Sequence, residues 1–277
     1  YYAESYNLLR RLLEDNCDLP TATQALALAA VLQEMSHDTY YWGQNIADDT
    51  EFMRLVEAAD ALISRCWEQG ESHAAARLMV AAGRLYERRE DMELSERYAR
   101  QARAIFIEQE DIRGTAAAAI LLVSLLIFQS KYDEALDVLE EIIPGLEHNR
   151  MTWYLCEAYW LQSEIARRTE DKTAEVKILE RIAKLAEREE FPKVIHEAYV
   201  TLEYYTPITA VHLAEGLLAR QRQKAPSAML AMAMHQLGRM YLNLGRYQAA
   251  EEVLDEVLQL YTRLPLRMGE SPGPEWS

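Results

Sequence analysis

Six histidines, three cysteines and a set of carboxylate pairs are the residues of this 277-residue chain with the widest chemical reach. A metal site needs ligands at a fixed spacing, such as His-x-x-x-His or Cys-x-x-Cys. His37, His73, His148, His196, His212 and His235 fall on different expected elements, and neither spacing occurs. Cys17, Cys66 and Cys156 are equally scattered in apolar helical surroundings, which reads as small buried thiols in a reducing, cytoplasmic setting. Acid–base catalysis needs two carboxylates that converge on one atom. Glu140-Glu141, Glu189-Glu190 and Glu251-Glu252 are instead chain neighbours, which on a helix point about 100° apart toward solvent. No glycine-rich phosphate loop and no Gly-x-Ser-x-Gly elbow is present. The expectation is a protein that is not an enzyme and uses no metal or cofactor.

The remaining side chains with specific chemistry are arginines. A guanidinium grips a carboxylate through two parallel hydrogen bonds. On a chain of net charge −16, cations gathered on one wall stand out. Whether they gather depends on the helices that carry them.

The clearest pair of helices lies near the end, from Met234 to Leu258. Leu237, Gly238 and Tyr241 put a large, a small and an aromatic residue on one face of a first helix. Gly245 ends it where a residue without Cβ is cheapest. Tyr247 and Ala250 begin a second, antiparallel helix, with the small residue where two backbones approach. The same pattern returns upstream. Gly83-Arg84-Leu85-Tyr86 matches Gly238-Arg239-Met240-Tyr241, and Tyr132-Asp-Glu-Ala135 matches Tyr247-Gln-Ala-Ala250. The small residues Ser95, Ala135, Ala174, Ala210 and Ala250 are separated by 40, 39, 36 and 40 residues. Such a hairpin cannot bury its apolar face alone, so copies must stack.

This pattern resembles the tetratricopeptide repeat (TPR), whose standard period is about 34 residues. The longer period here is similar to the sensor and peptide-binding domains of bacterial regulators. The resemblance implies an all-α, right-handed α-solenoid of six or seven antiparallel hairpins over 1–264. Residues 1–70 are expected to be degenerate N-terminal repeats and 72–264 the clearer ones. Residues 265–277, with three prolines and glycines between, read as a disordered tail or linker. Ser36-His-Asp is expected to interrupt the second helix, Tyr40-Tyr41-Trp42-Gly43 to form a short helix or aromatic loop, and Pro144 to kink or end its helix early. Thr206-Pro207 should close a shorter helix from about Lys193 to Tyr205.

In such a stack the first helix of each unit lines an inner wall. The expected binding residues on that wall are Arg84, Arg88, Tyr159, Ser163, Arg167, Tyr199, His235, Arg239 and Asn243. The resemblance implies a protein or peptide segment as the partner, held along a groove by a ligand-sensing or scaffold domain of a larger regulatory protein. A scaffold that self-associates as a homo-oligomer, or a small-molecule sensor, are the alternatives. The acidic balance argues against nucleic acid and anionic membrane surfaces, and the longest apolar run, Thr115 to Phe128, is too short for a membrane span.

Overall fold

The computed structural model describes residues 19–42 and 49–263. The expected segments at 1–15, 43–47 and 265–277, with Asp48 and Cys17, lie outside them. Among the described residues there are twelve helices and no strand. In chain order they are α1 (Thr21–Trp42), α2 (Asp49–Glu68), α3 (Ser72–Arg88), α4 (Met92–Glu108), α5 (Ile112–Phe128), α6 (Tyr132–His148), α7 (Thr152–Arg168), α8 (Lys172–Arg188), α9 (Pro192–Tyr205), α10 (Pro207–Gln221), α11 (Ala228–Asn243) and α12 (Tyr247–Arg263). Odd-numbered helices are the first members of antiparallel hairpins and even-numbered helices the second. The all-helical repeat architecture expected from the sequence is therefore present.

From α3 to α8 every helix has 17 residues and successive starts fall 20 apart. The hairpin period is thus 40, the sum of two helices and two short turns. The turns that precede α3 to α9, and the one before α12, each carry one residue in the left-handed region: Gly70, Glu90, Glu110, Ser130, Arg150, Glu170, Glu190 and Gly245. The hydrogen bonds explain the repetition. At the end of α4, Glu110 N–H donates to the Ile107 carbonyl and Asp111 N–H reaches back to Phe106. This double bond pattern satisfies the last free carbonyls of the helix. Asp111 then caps the next helix, its carboxylate accepting from Gly114 N–H at 2.9 Å. Asp91 and Asp171 do the same for α4 and α8. One turn therefore ends a helix and starts the next within three residues.

Two local expectations are corrected. Helix α1 runs through Ser36-His-Asp to Trp42, because three polar residues without proline or glycine do not by themselves stop a helix already formed; the side chains of 34–42 are outside the described set. Pro144 lies inside α6, which continues to His148. Proline removes one N–H donor and crowds one carbonyl, but Val138, Leu139, Ile142 and Leu146 are all buried, so packing on both sides of Pro144 holds the helix. The shorter α9 does end at Thr206, before Pro207.

The chain divides into two compact units, Tyr1–Leu161 and Gln162–Ser277. In the first, α3 packs on α1, α2, α4 and α5. Its core includes Leu28, Leu32, Leu55, Leu78, Met79, Phe106 and the nearly continuous apolar run of α5. Cys66 and Cys156 are both buried. In the second, α9 packs on α8, α10 and α11 around Leu179, Ile182, Tyr199, Leu202, Leu217 and Leu237.

Candidate functional site

Three arginines of the second helices, and two cations just after α10, are held by another hairpin. In the first unit Arg100 bridges Glu96 and Glu134, at 2.8 and 2.5 Å, and Arg103 pairs with Glu141. In the second unit Arg220 pairs with Glu187, Arg222 with Glu256 and Lys224 with Glu190. Arg100–Glu134, Arg222–Glu256 and Lys224–Glu190 are exposed on both sides, and each contributes about 0–1 kcal/mol.

The first-helix side of the first unit differs. Arg84 on α3 is half-buried and Arg113 on α5 is exposed, and neither makes a hydrogen bond or ion pair among the described residues. Arg77 is already occupied, donating to Asp111 at 3.0 Å with its guanidinium 5.5 Å over the Phe106 ring. On α7, the Trp153 indole donates to the carboxylate of Glu157 one turn later. Burial pushes the Glu157 carboxyl above the usual carboxylate range, and the positive charge of Arg84 acts against that shift. The Tyr154 hydroxyl is likewise pushed up, first by burial and then by Glu157, while Arg113, Arg77 and Arg84 pull it down. The charges of Arg77, Arg84 and Arg113 thus all act on the Tyr154 hydroxyl, and that of Arg84 also acts on the Glu157 carboxyl. Beside them Ser124 donates to Glu87 at 2.6 Å.

Of the nine expected binding residues, Arg84 belongs to this cluster. The Arg88 side chain is outside the described set. Tyr159 and Tyr199 are corrections, with exposures of 2% and 0%. They sit on the packing face, and each hydroxyl donates to a glutamate 12 residues back: Tyr159 to Glu147 at 2.7 Å, Tyr199 to Glu187. Ser163 is also buried, at 5%, 40 residues after Val123 and 80 after Gly83 in the helix-contact register.

In the second unit Arg167 is exposed and chelated by Glu164 at 2.5 Å. Arg239 donates to Glu203 at 2.6 Å, and Asn243 donates to the other Glu203 oxygen at 2.7 Å. Glu203 therefore gathers two expected residues on one carboxylate, while Arg239 Nε stays buried without a hydrogen-bond partner among the described residues. His235 is exposed, whereas the Oε1 of its buried neighbour Gln236 accepts from His196 Nδ1 over 2.7 Å. Sequence reading missed Arg113, Tyr154, Glu157 and Glu203. The 20-residue ladder would have shown Glu157 two full repeats after Arg77, and so on the same register. Among the described residues no cluster of His, Cys, Asp and Glu could hold a metal, and no helix is long and apolar enough to cross a membrane.

A tetratricopeptide repeat family model matches residues 230–264, the α11–α12 hairpin. The fold is similar to the crystal structure of BtubC (BKLC) from P. vanneervenii, with 17% identity, 83% of this chain and 97% of that chain covered, and a TM-score of 0.55. It is also similar to apo RapI, at 9% identity, with 95% and 92% covered and a TM-score of 0.59. The chain has a TPR-like repeat fold. This TPR-like chain further resembles aspartyl phosphate phosphatase F from Bacillus subtilis, at 14% identity and a TM-score of 0.54. That match covers 91% of this chain and 63% of the phosphatase, so the chain spans less than two thirds of that protein. No curated protein matches the chain in sequence.

Proposed function

We propose that this TPR-like chain is a non-catalytic binding module, the ligand-sensing or scaffold domain of a larger bacterial regulatory protein, that captures a protein or peptide segment on its first-helix faces. The observation that carries this reading is the pair Arg84 and Arg113. On a chain of net charge −16, carboxylates are abundant, and yet neither guanidinium is paired among the described residues. The arginines of the second helices named above, by contrast, are engaged by neighbouring glutamates. Repeat hairpins of this fold give such side chains rigid, regularly spaced supports, which lowers the ordering cost of binding. Peptide display on the whole chain tests the reading. Enriched segments should lose affinity with Arg84→Ala and keep it with Arg181→Ala on α8. Segments that bind both variants alike, or no enrichment at all, would overturn it.

A second reading has its own observation. The last helix, α12, exposes Tyr247 at 70%, Leu258 at 64% and Tyr261 at 47%. Apolar side chains at this spacing form the face on which a further hairpin would stack, and a second copy could occupy it. Sedimentation at rising concentration, with Leu258→Glu as the comparison, checks for self-association.

A further inference from the structure

We propose that a groove on the second-helix side of the first unit, between the C-terminal halves of α4 and α6 and over the first turn of α5, docks a basic segment of a partner protein by taking in one of its apolar side chains. The groove does not involve the first-helix arginines above and stands apart from that reading.

Its volume is about 220 Å³. Buried Ile142 and Leu146 line it, together with Ile107 and Ile112, which are 47% and 42% exposed. Small-molecule sites usually enclose roughly 300–1,000 Å³, so this space suits a single side chain. Gly145 leaves it open, since an added Cβ there would meet nothing within 4 Å.

The groove departs from the 40-residue register in three ways. The neighbouring second helices carry Ile105 and Leu185 where α6 has Gly145. The next repeat carries Glu147 and Thr152 in place of Ile107 and Ile112. It also reverses the charges, with Arg150 and Arg181 forty residues after Glu110 and Glu141. The first change opens the space, the second makes it apolar and the third makes it acidic. Packing requirements shared by the repeats explain none of them.

The charges select the occupant. Two carboxylates line the groove and no cation does. The Glu110 side chain makes no hydrogen bond or ion pair among the described residues. Glu141 pairs with Arg103 through one oxygen and keeps its side chain 60% exposed, so it can accept further bonds. A second copy would bring a net charge of −16 to this acidic rim. A foreign segment with lysine or arginine beside an aliphatic residue complements both features.

The test uses the full chain and two fluorescein-labelled heptapeptides, six lysines around a central leucine and the same peptide with a central serine, followed by anisotropy. Both feel the overall charge of the protein, so the difference between them reports the groove. The leucine peptide should bind about tenfold tighter. Gly145→Leu, which fills the open space, should erase that difference, and so should Ile107→Glu, the residue of the next repeat. Glu110→Gln should weaken both peptides a few-fold at low ionic strength and keep the difference. Glu251→Gln on α12 should change neither. Equal affinity for the two peptides, a Gly145→Leu chain that still discriminates, or a leucine peptide with glutamates for lysines that binds as well would each overturn the proposal. So would a dimer in sedimentation that Gly145→Leu splits, because a second copy would then cover the groove. Arg84→Ala should leave the leucine preference intact, so this site and the first-helix reading fail separately.

Discussion

The Ser95 hydroxyl donates to the backbone carbonyl of Gly83 across 2.7 Å, and both residues are buried where α3 and α4 cross. The contact demands small residues on both sides, because backbones this close leave no room for a side chain between them. Ala135, Ala210 and Ala250 fill the second-helix position in other hairpins, each at 0% exposure. A Cβ added at Gly83 would meet Leu121 Cδ2 at 2.7 Å, and one added at Gly238 would meet Leu254 Cδ2 at 2.6 Å.

Glycine substitutions should therefore split by sign. A Cβ at Gly114 would sit 2.4–2.6 Å from three atoms of the Phe106 ring, which is fully buried and cannot swing aside. Gly114→Ala should cost about 1–3 kcal/mol. Gly145, inside α6, has nothing within 4 Å of an added Cβ, so Gly145→Ala should gain about 0.5–1 kcal/mol. Denaturant melts of the two variants check this, and equal shifts would show that the crossings are looser than described.

The turns invite stabilisation. Six non-glycine residues, from Glu90 to Glu190, hold φ between 53° and 61°, a conformation that costs an ordinary residue about 1–2 kcal/mol relative to the right-handed region. Glu110→Gly and Glu170→Gly should each raise the melting temperature. A fall in either melt would mean that the glutamate side chain contributes more than its backbone strain costs.

Asp60 accepts from two tyrosines, Tyr86 at 2.8 Å and Tyr98 at 2.6 Å, whose rings meet edge to face. Burial first, and the Asp60 bond second, raise both hydroxyls above the ordinary tyrosine range. An acid whose folded value is raised adds stability below its unfolded value, near 10, and loses it as pH rises further. Tyr98→Phe should cost about 1–3 kcal/mol at neutral pH and show a shallower loss above about pH 10. Melts from pH 7 to 11 read both effects.

These cases show what the sequence could carry. Leu237, Gly238, Tyr241, Gly245 and Ala250 announced their hairpin because each is the residue type its contact requires. The 20-residue ladder was hidden, since six of the eight left-handed turn positions hold Glu, Ser or Arg rather than glycine. Tyr159 and Tyr199 were placed on an open wall because an i, i+4 stripe has no absolute phase. Only the glutamates 12 residues back, which satisfy the two hydroxyls, reveal that these rings face inward. Arg84 was legible as a stripe residue. Its companions were not, because Arg113, Tyr154 and Glu157 sit on other helices, and no single stripe holds them with Arg84.

The same register exposes one local departure, and it yields the last prediction. Forty residues after Ala135 the small-residue position falls on Glu175, not on Ala174, and Glu175 is 2% exposed. Its carboxyl is raised first by burial, while the Tyr205 hydrogen bond and the Arg167 charge pull it down, Glu164 pushes it up and Lys172 lowers it slightly. A raised carboxyl binds its proton more tightly in the folded state than in the unfolded one. Stability contributed by Glu175 is therefore full below the ordinary carboxylate range and declines as pH climbs from that range through the raised value. Glu175→Gln keeps the volume and the Tyr205 contact while removing the ionisation. The variant should match the parent in acid, exceed it in stability at neutral pH, and show a flatter profile between. Glu175→Ala separates charge from packing, because the space it leaves should destabilise at every pH. If Glu175→Gln is instead weaker at neutral pH, Arg167 and Tyr205 outweigh burial and the carboxylate is held as an anion.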